Sequence, residues 1–275
     1  MTSAMKTHDL TLGFLTLGAQ AAPMEVLDAA AAAGFGAAGL RVSGRNPGDS
    51  WPSVDPASQD LERLREHAGA LGVRISSISG YYISPATEAQ HLLRNVEAAT
   101  RVGAPLIMQG CFEPDLARVA RLLAGYARAA ADAGVRIAIE FMPMSALKSM
   151  PDTLDVIERS GAADNVGLLI DALHLARSGA RPSDVAALAP GRVPIAQLCD
   201  AAARRPDSLS LFDEAMQGRM YLGDGGLDLA GLVRALPPGT ELELETPVIA
   251  DAALAPAEKA RRAAAKAQAF FARLG

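Results

Sequence analysis

The chain has little of what would staple it, anchor it in a membrane or hold it to nucleic acid. It has two cysteines in 275 residues. Cys111 and Cys199 lie far apart and each follows a strand-like run, so two buried thiols are expected rather than a disulfide, and a reducing, cytoplasmic setting fits. No apolar run reaches the roughly 18 residues that a membrane-spanning helix needs. The opening stretch, MTSAMKTHDLTLGFLTLG, does not read as a secretion signal, because Asp9 precedes a short apolar segment broken by Gly. Basic residues are not in excess: 26 Lys and Arg stand against 31 Asp and Glu, a net charge of -5. That balance argues against a nucleic-acid or anionic-membrane partner, since phosphate binding needs a concentrated basic face. Neither GxGxxG nor GxxxxGK[ST] follows an early strand, which removes the main signature of a doubly wound nucleotide-binding sheet.

What is present is an ordinary globular composition, half hydrophobic and one-fifth charged. Short apolar runs alternate with Ala/Leu-rich amphipathic segments. The pairs AGF, LGV, VGA and AGV sit where helix passes to strand, and Gly there suits the left-handed residue that ends a helix. Eight strands are expected at Leu10–Leu15, Ala38–Val42, Val73–Ile78, Leu106–Gln109, Val135–Phe141, Val166–Asp171, Val193–Cys199 and Glu241–Thr246. Helices are expected at Met24–Ala33, Ala57–Ala70, Glu88–Val102, Asp115–Ala133, Met150–Ser160, Pro182–Leu188, Leu227–Leu236 and Pro256–Leu274. Eight β-then-α units in a chain of this length predict one (β/α)8 TIM barrel over residues 1–275, an α/β single domain. Long loops, Ser43–Pro56, Ser79–Thr87 and Asp200–Gly226, follow strands 2, 3 and 7 and belong on one face.

Residues at the C-terminal ends of barrel strands converge on one site. Strand 5 ends at Glu140, strand 6 at Asp171 with His174 three residues on, strand 7 carries Gln197 and Asp200, and strand 8 carries Glu241, Glu243 and Glu245. Ionised carboxylates facing a barrel interior are expensive unless paired or metal-bound. Glu140, Asp171, Gln197 and Glu245, from four consecutive strands, are therefore expected to hold one divalent cation. Oxygen donors favour Mn2+ or Mg2+, with Zn2+ and Co2+ as alternatives. Glu241 and Glu243 alternate with apolar residues and read as facing helices or solvent, and Asp200 as a cap or loop acceptor. Arg41 and Gln109, at the ends of strands 2 and 4, are further polar candidates for contact with a small-molecule substrate. Trp51, Tyr81 and Tyr82, in the long loops, read as pocket walls or as packing on the rim.

The set E-x-x-P from Glu140, D-x-x-H from Asp171, Q-L-C-D from Gln197, R-x-x-x-G-D-G from Arg219 and E-x-E-T-P from Glu243 resembles the xylose isomerase-like sugar phosphate isomerase/epimerase superfamily. The resemblance covers essentially the whole chain and is strongest from Val135 to Pro247. It implies a metal-dependent barrel acting on sugars, inositols and related polyols. Epimerases of that superfamily usually place His where this chain has Gln197. Gln there, with intervals of 31, 26 and 48 residues between successive ligands, is similar to the 3-dehydroshikimate dehydratase branch. By that likeness His174 acts as a base and Arg219 binds substrate. The segment FMPMSALKSM after Glu140 departs from the dehydratases and makes that side of the pocket apolar.

The chemistry expected of such a site is proton removal next to a carbonyl, by His174, Glu140 or Glu245, through a metal-stabilised enediolate. Isomerisation, epimerisation and dehydration all share that intermediate. A rival reading is a non-catalytic metal- or sugar-binding barrel. DNA-repair endonucleases of the same superfamily carry a His-rich multi-zinc cluster, which four His and an acidic balance disfavour. Homo-oligomers are compatible with the Ala-rich helices, as is packing within one chain.

Overall fold

The computed structural model describes residues 5–49 and 59–274. Its barrel strands are β1 (Thr11–Gly13), β2 (Ala37–Arg41), β3 (Arg74–Ser79), β4 (Leu106–Gln109), β5 (Arg136–Glu140), β6 (Val166–Asp171) and β7 (Ile195–Leu198). After the ribbon β8 (Asp200–Ala201) and β9 (Arg219–Met220), the eighth barrel strand is β10 (Glu241–Leu244). The eight barrel strands pair in parallel and close, with β1 between β10 and β2. The expected fold and all eight expected barrel strands are present; β4 and β6 have the expected bounds and the other six are shifted by one to a few residues at their ends.

The helices are α1 (Pro23–Ala33), α2 (Asp60–Leu71), α3 (Ala89–Val102), α4 (Leu116–Asp132), α5 (Met150–Ser160), α6 (Ala172–Arg177), α7 (Pro182–Ala186), α8 (Leu211–Gln217), α9 (Leu229–Ala235) and α10 (Pro256–Leu274). Handover glycines act as expected: Gly34 and Gly103 end α1 and α3 at φ of 80° and 77°. The Ala-rich helices α1 and α10 pack on each other within the chain, burying Ala29, Ala30, Ala263 and Ala267. Among the described residues, no helix is long and apolar enough to cross a membrane. Both cysteines are free and buried.

Two apolar layers result. The larger lies between strands and helices. The smaller fills part of the barrel's interior with Leu106, Met108, Ala138, Leu169 and Ile195. Successive side chains of a strand alternate in direction. The residues two places beyond Ala138, Leu169 and Ile195 are Glu140, Asp171 and Gln197. They share the interior face of their strands, directly above the apolar plug.

Candidate active site

Alternation in β10 corrects one expectation. Glu241, Glu243 and Glu245 share one parity, so all three point into the barrel and none faces a helix. Glu241 sits at the bottom, bonded to the Thr11 hydroxyl and, at 2.8 Å, to Arg74 Nη2. Glu243 is fully buried. Its carboxylate accepts from Gln197 Nε2 at 2.8 Å and from Ser77 Oγ at 3.4 Å. Space for it comes from missing side chains: a Cβ on Gly13 would stand 2.8 Å from Glu243 Oε1, and one on Gly39 would collide with Oε2. Burial pushes Glu243 up to about 8, against the pull of the Gln197 hydrogen bond. The sequence carries the signal in the parity that Glu241 and Glu243 share with Glu245.

Above Glu243 lie the expected residues. Asp171 ends β6 and also caps α6, its Oδ1 accepting from the His174 backbone N–H at 2.8 Å. That short helix, not anticipated from the sequence, sets His174 over the site. His174 Nε2 stands 3.6 Å from Glu140 Oε1. Gln197 Nε2 also donates to Glu245 Oε1 at 3.0 Å, which leaves Gln197 Oε1 buried and without a partner. Arg219, at the start of β9, is buried. It donates to Asp171 Oδ2 at 2.6 Å, to Ala215 O at 2.9 Å and to Cys199 Sγ at 3.0 Å, and pairs with Glu245 Oε2 at 3.1 Å. Asp200 has the loop role expected of it: its oxygens accept from the backbone N–H groups of Gly223, Gly225 and Leu227.

Charge here is unbalanced. Glu140 is driven well above the ordinary carboxylate range by burial and then by Glu245 and Asp171. Burial also raises Glu245, to about 7, although Arg219 pulls the other way. Burial pushes Asp171 up as well, but Arg219 and His174 outweigh it and its carboxyl ends below the usual range. Burial holds His174 down at about 4, so its ring is neutral at pH 7. One guanidinium thus pairs with two acids, Asp171 and Glu245, while Glu140 stands beside the neutral His174 and Glu243 lies beneath them.

The pocket over this floor has a volume of about 100 Å3. Glu140, His174, Gln197, Arg219, Glu245 and Gln109 all line it. Its walls are apolar: Phe14, Met108, Phe112, Met142, Met144, Phe212 and Met216. The walls from Met142 and Met144 match the apolar FMPM segment, while Phe212 and Met216 come from α8, which was not anticipated. Tyr82 stacks on Phe112, with centroids 5.6 Å apart and planes at 15°. Tyr81 lies edge-on to His91 at 5.7 Å, on the rim. Gln109 gives its amide N–H groups to Tyr81 O and Gly110 O and keeps Oε1 unpartnered. Arg41 does not line the pocket; it stands behind Phe14, its guanidinium 5.5 Å from that ring's centroid. Arg45, not anticipated, does line it. Trp51 lies outside the described residues, as does the expected start of the second helix at Ala57.

The xylose isomerase-like TIM barrel family model matches residues 27–273. The chain belongs to that family. Among solved structures, it resembles an IOLI protein with a bound zinc atom at a TM-score of 0.79 and 17% identity, covering 98% of this chain and 99% of that one. An L-ribulose 3-epimerase superposes with a TM-score of 0.71 at 18% identity over 96% and 95% of the two chains. A D-allulose 3-epimerase from Methylomonas sp., in complex with D-allulose, gives 0.72 at 16% over 99% of each. At such identities the likeness shows the fold alone. No curated protein matches the chain in sequence.

Several features of the floor suit a divalent cation. Its donors are hard oxygens, Gln197 Oε1 is buried without a partner, and the one guanidinium pairs with only two of the three acids. Among the described residues, no three His, Cys, Asp or Glu side chains are drawn together around a common point, because Arg219 already lies against Asp171 and Glu245.

Proposed function

We propose that this chain is a divalent-metal-dependent sugar isomerase or epimerase, acting on a polyhydroxylated carbonyl compound by moving a proton next to the carbonyl. One observation carries the reading. Two carboxyl groups of raised pKa, Glu140 and Glu245, a neutral His174 and the unpartnered Gln197 Oε1 meet at the floor of one apolar-walled pocket. Family membership and structural likeness to an L-ribulose 3-epimerase and a D-allulose 3-epimerase support the class.

On this reading Glu140, Asp171, Gln197 and Glu245 hold the cation; when bound, it stabilises negative charge developing on the substrate's carbonyl oxygen. Glu245, raised to about 7 by burial, is suited to exchanging a proton near neutral pH, since a base works best with a pKa near the working pH, and Glu140, also raised, stands with it at the floor. His174 is uncharged, 3.6 Å from Glu140, and serves as a second station for the proton. Taking it up on one face and returning it on the other epimerises; returning it to the neighbouring carbon isomerises. Arg219 lines the pocket but is bonded to Asp171 and Glu245, so it competes with the cation for their oxygens as well as facing substrate. Apolar walls exclude water and strengthen each of these charges.

Dehydration is the second reading, favoured by Gln197 at a position where epimerases usually carry His. Both readings share their first step. The test is NMR in D2O of ketoses and cyclic polyhydroxy ketones, with protein and Mn2+ or Mg2+. Solvent deuterium should enter next to the carbonyl, and EDTA should stop it until metal is restored. A conjugated product absorbing in the ultraviolet would select dehydration. If no such compound exchanges a proton with metal present, a binding barrel becomes the better account.

A further inference from the structure

The pocket has two unlike ends. Its floor is acidic. The side at the C-terminal ends of β2 and β3 carries polar side chains whose hydrogen bonding is incomplete. Arg41, 5% exposed, gives Nε to Ser43 O at 3.2 Å, and its Nη2 is buried with no partner. Arg45 lies over the Tyr82 ring, 5.8 Å from its centroid, and its Nε is likewise buried and unpartnered. Ser79, 7% exposed, lines the pocket with an unpartnered Oγ.

Among the described residues, neither arginine is ion-paired. The acid of their loop, Asp49, is turned to the backbone, accepting from the N–H groups of Arg45 and Asn46 at 2.9 Å each. The acid across the pocket, Glu245, is already taken by Arg219 and Gln197. Two guanidinium groups close enough to repel each other, with buried donors left open, are costly unless something negative arrives. Phe14 and Tyr82 hold the two guanidinium groups in place by cation–π contact. A guanidinium so held presents a rigid fork suited to carboxylate or phosphate oxygens.

We propose that Arg45 and Ser79, with the buried Arg41 charge behind Phe14 beside them, form a subsite for an anionic group of the substrate, a carboxylate or a phosphate. The compound handled is then an acidic polyhydroxy carbonyl compound rather than a neutral sugar. This rests on the isomerase or epimerase reading for what happens at the other end of the pocket.

The experiment has two parts. In the first, EDTA-treated protein is titrated calorimetrically with inorganic phosphate and, separately, with malonate. Saturable binding is expected, weakened about tenfold or more by Arg45→Gln and measurably by Ser79→Ala, as for loss of a charge-assisted hydrogen bond. Arg41→Gln is the riskier variant because that side chain is buried; Arg45→Gln and Ser79→Ala keep the test independent of it. Unchanged binding of both anions in Arg45→Gln and Ser79→Ala overturns the subsite. In the second part, metal-loaded protein is given ketoses, their terminal phosphates and their carboxylate counterparts. A lower KM for one anionic series, lost in Arg45→Gln, supports the subsite and tells phosphate from carboxylate. If the neutral ketose exchanges its proton as well as both anionic forms, with KM indifferent to Arg45→Gln, the subsite fails while the isomerase reading stands. If anions bind through Arg45 and nothing exchanges, the subsite stands and the isomerase reading fails.

Discussion

His174 and Glu243 show how much a single side chain depends on its surroundings here. His174 is neutral because it is buried, and its ring stands beside Glu140 with only a 3.6 Å contact. Replacing it with Gln keeps a polar group and removes the proton station. Deuterium exchange should fall on the order of 100- to 10,000-fold, with metal content unchanged; undiminished exchange would remove His174 from the mechanism. Glu243 holds Gln197 by its amide N–H, which leaves the buried amide oxygen without a partner. Gly39 makes the room for it. Gly39→Ala should therefore cost about 1–3 kcal/mol by overpacking. The cost should shrink in a Glu243→Ala background, read from denaturant melts of the four proteins of the cycle. Equal costs in both backgrounds would show that Gly39 serves something other than this carboxylate.

At the scale of elements, the site is assembled by pieces that have little stability of their own. α6 is a six-residue helix begun by Asp171, and α8 is a seven-residue helix in the long loop after β7. A buried pair joins them: Arg177 bonds Glu214 at 2.8 and 2.7 Å and reaches Ala202 O and Ala203 O. Phe212, Ala215 and Met216 of α8 are pocket wall, and Ala215 O holds Arg219. Arg177→Met would leave Glu214 buried and uncompensated. A loss of about 3–5 kcal/mol is expected, with KM rising more than kcat falls, because α8 shapes the pocket and carries none of the reacting groups. Thermal melting and steady-state kinetics check this. A protein of unaltered stability would mean that α8 is held from elsewhere.

For the molecule as a whole, the surplus of buried acid makes stability depend on pH in an unusual direction. Glu243 and Glu245 sit near 8 and 7 in the folded chain, and Glu140 well above its ordinary value, against roughly 4.3 for a free Glu. A raised folded pKa gives stability that is present below the unfolded value and is lost as pH rises through the folded one. His174 works the other way: held at about 4, it favours the fold above about 6.5 and withdraws that favour as pH falls. Metal-free protein should thus melt at a lower temperature at pH 8.5 than at pH 6.5, and a bound divalent cation should reverse the decline. Melting curves in EDTA and in Mn2+ at the two pH values decide it. A flat profile in EDTA would count against the buried charge surplus.

The amino-acid pattern by itself determined the barrel, because closing eight parallel strands demands apolar runs at regular intervals with glycine at each handover, and both are visible in one dimension. It also brought out Glu140, Asp171, Gln197 and Glu245 as candidates, since a polar residue at the end of an apolar strand has few places to go but the barrel's interior. Three things were left to the tertiary structure. The inward face of β10 depends on where that strand pairs with β7, and that register put Glu243 under the site rather than against a helix. The place of Arg219 depends on a two-residue ribbon and on α8, elements too short to announce themselves by periodicity. The unpartnered donors of Arg41, Arg45 and Ser79 exist only because loops distant in sequence leave them without acceptors. A hydrogen bond that is not made has no signature in a sequence; it is a property of how the whole chain packs.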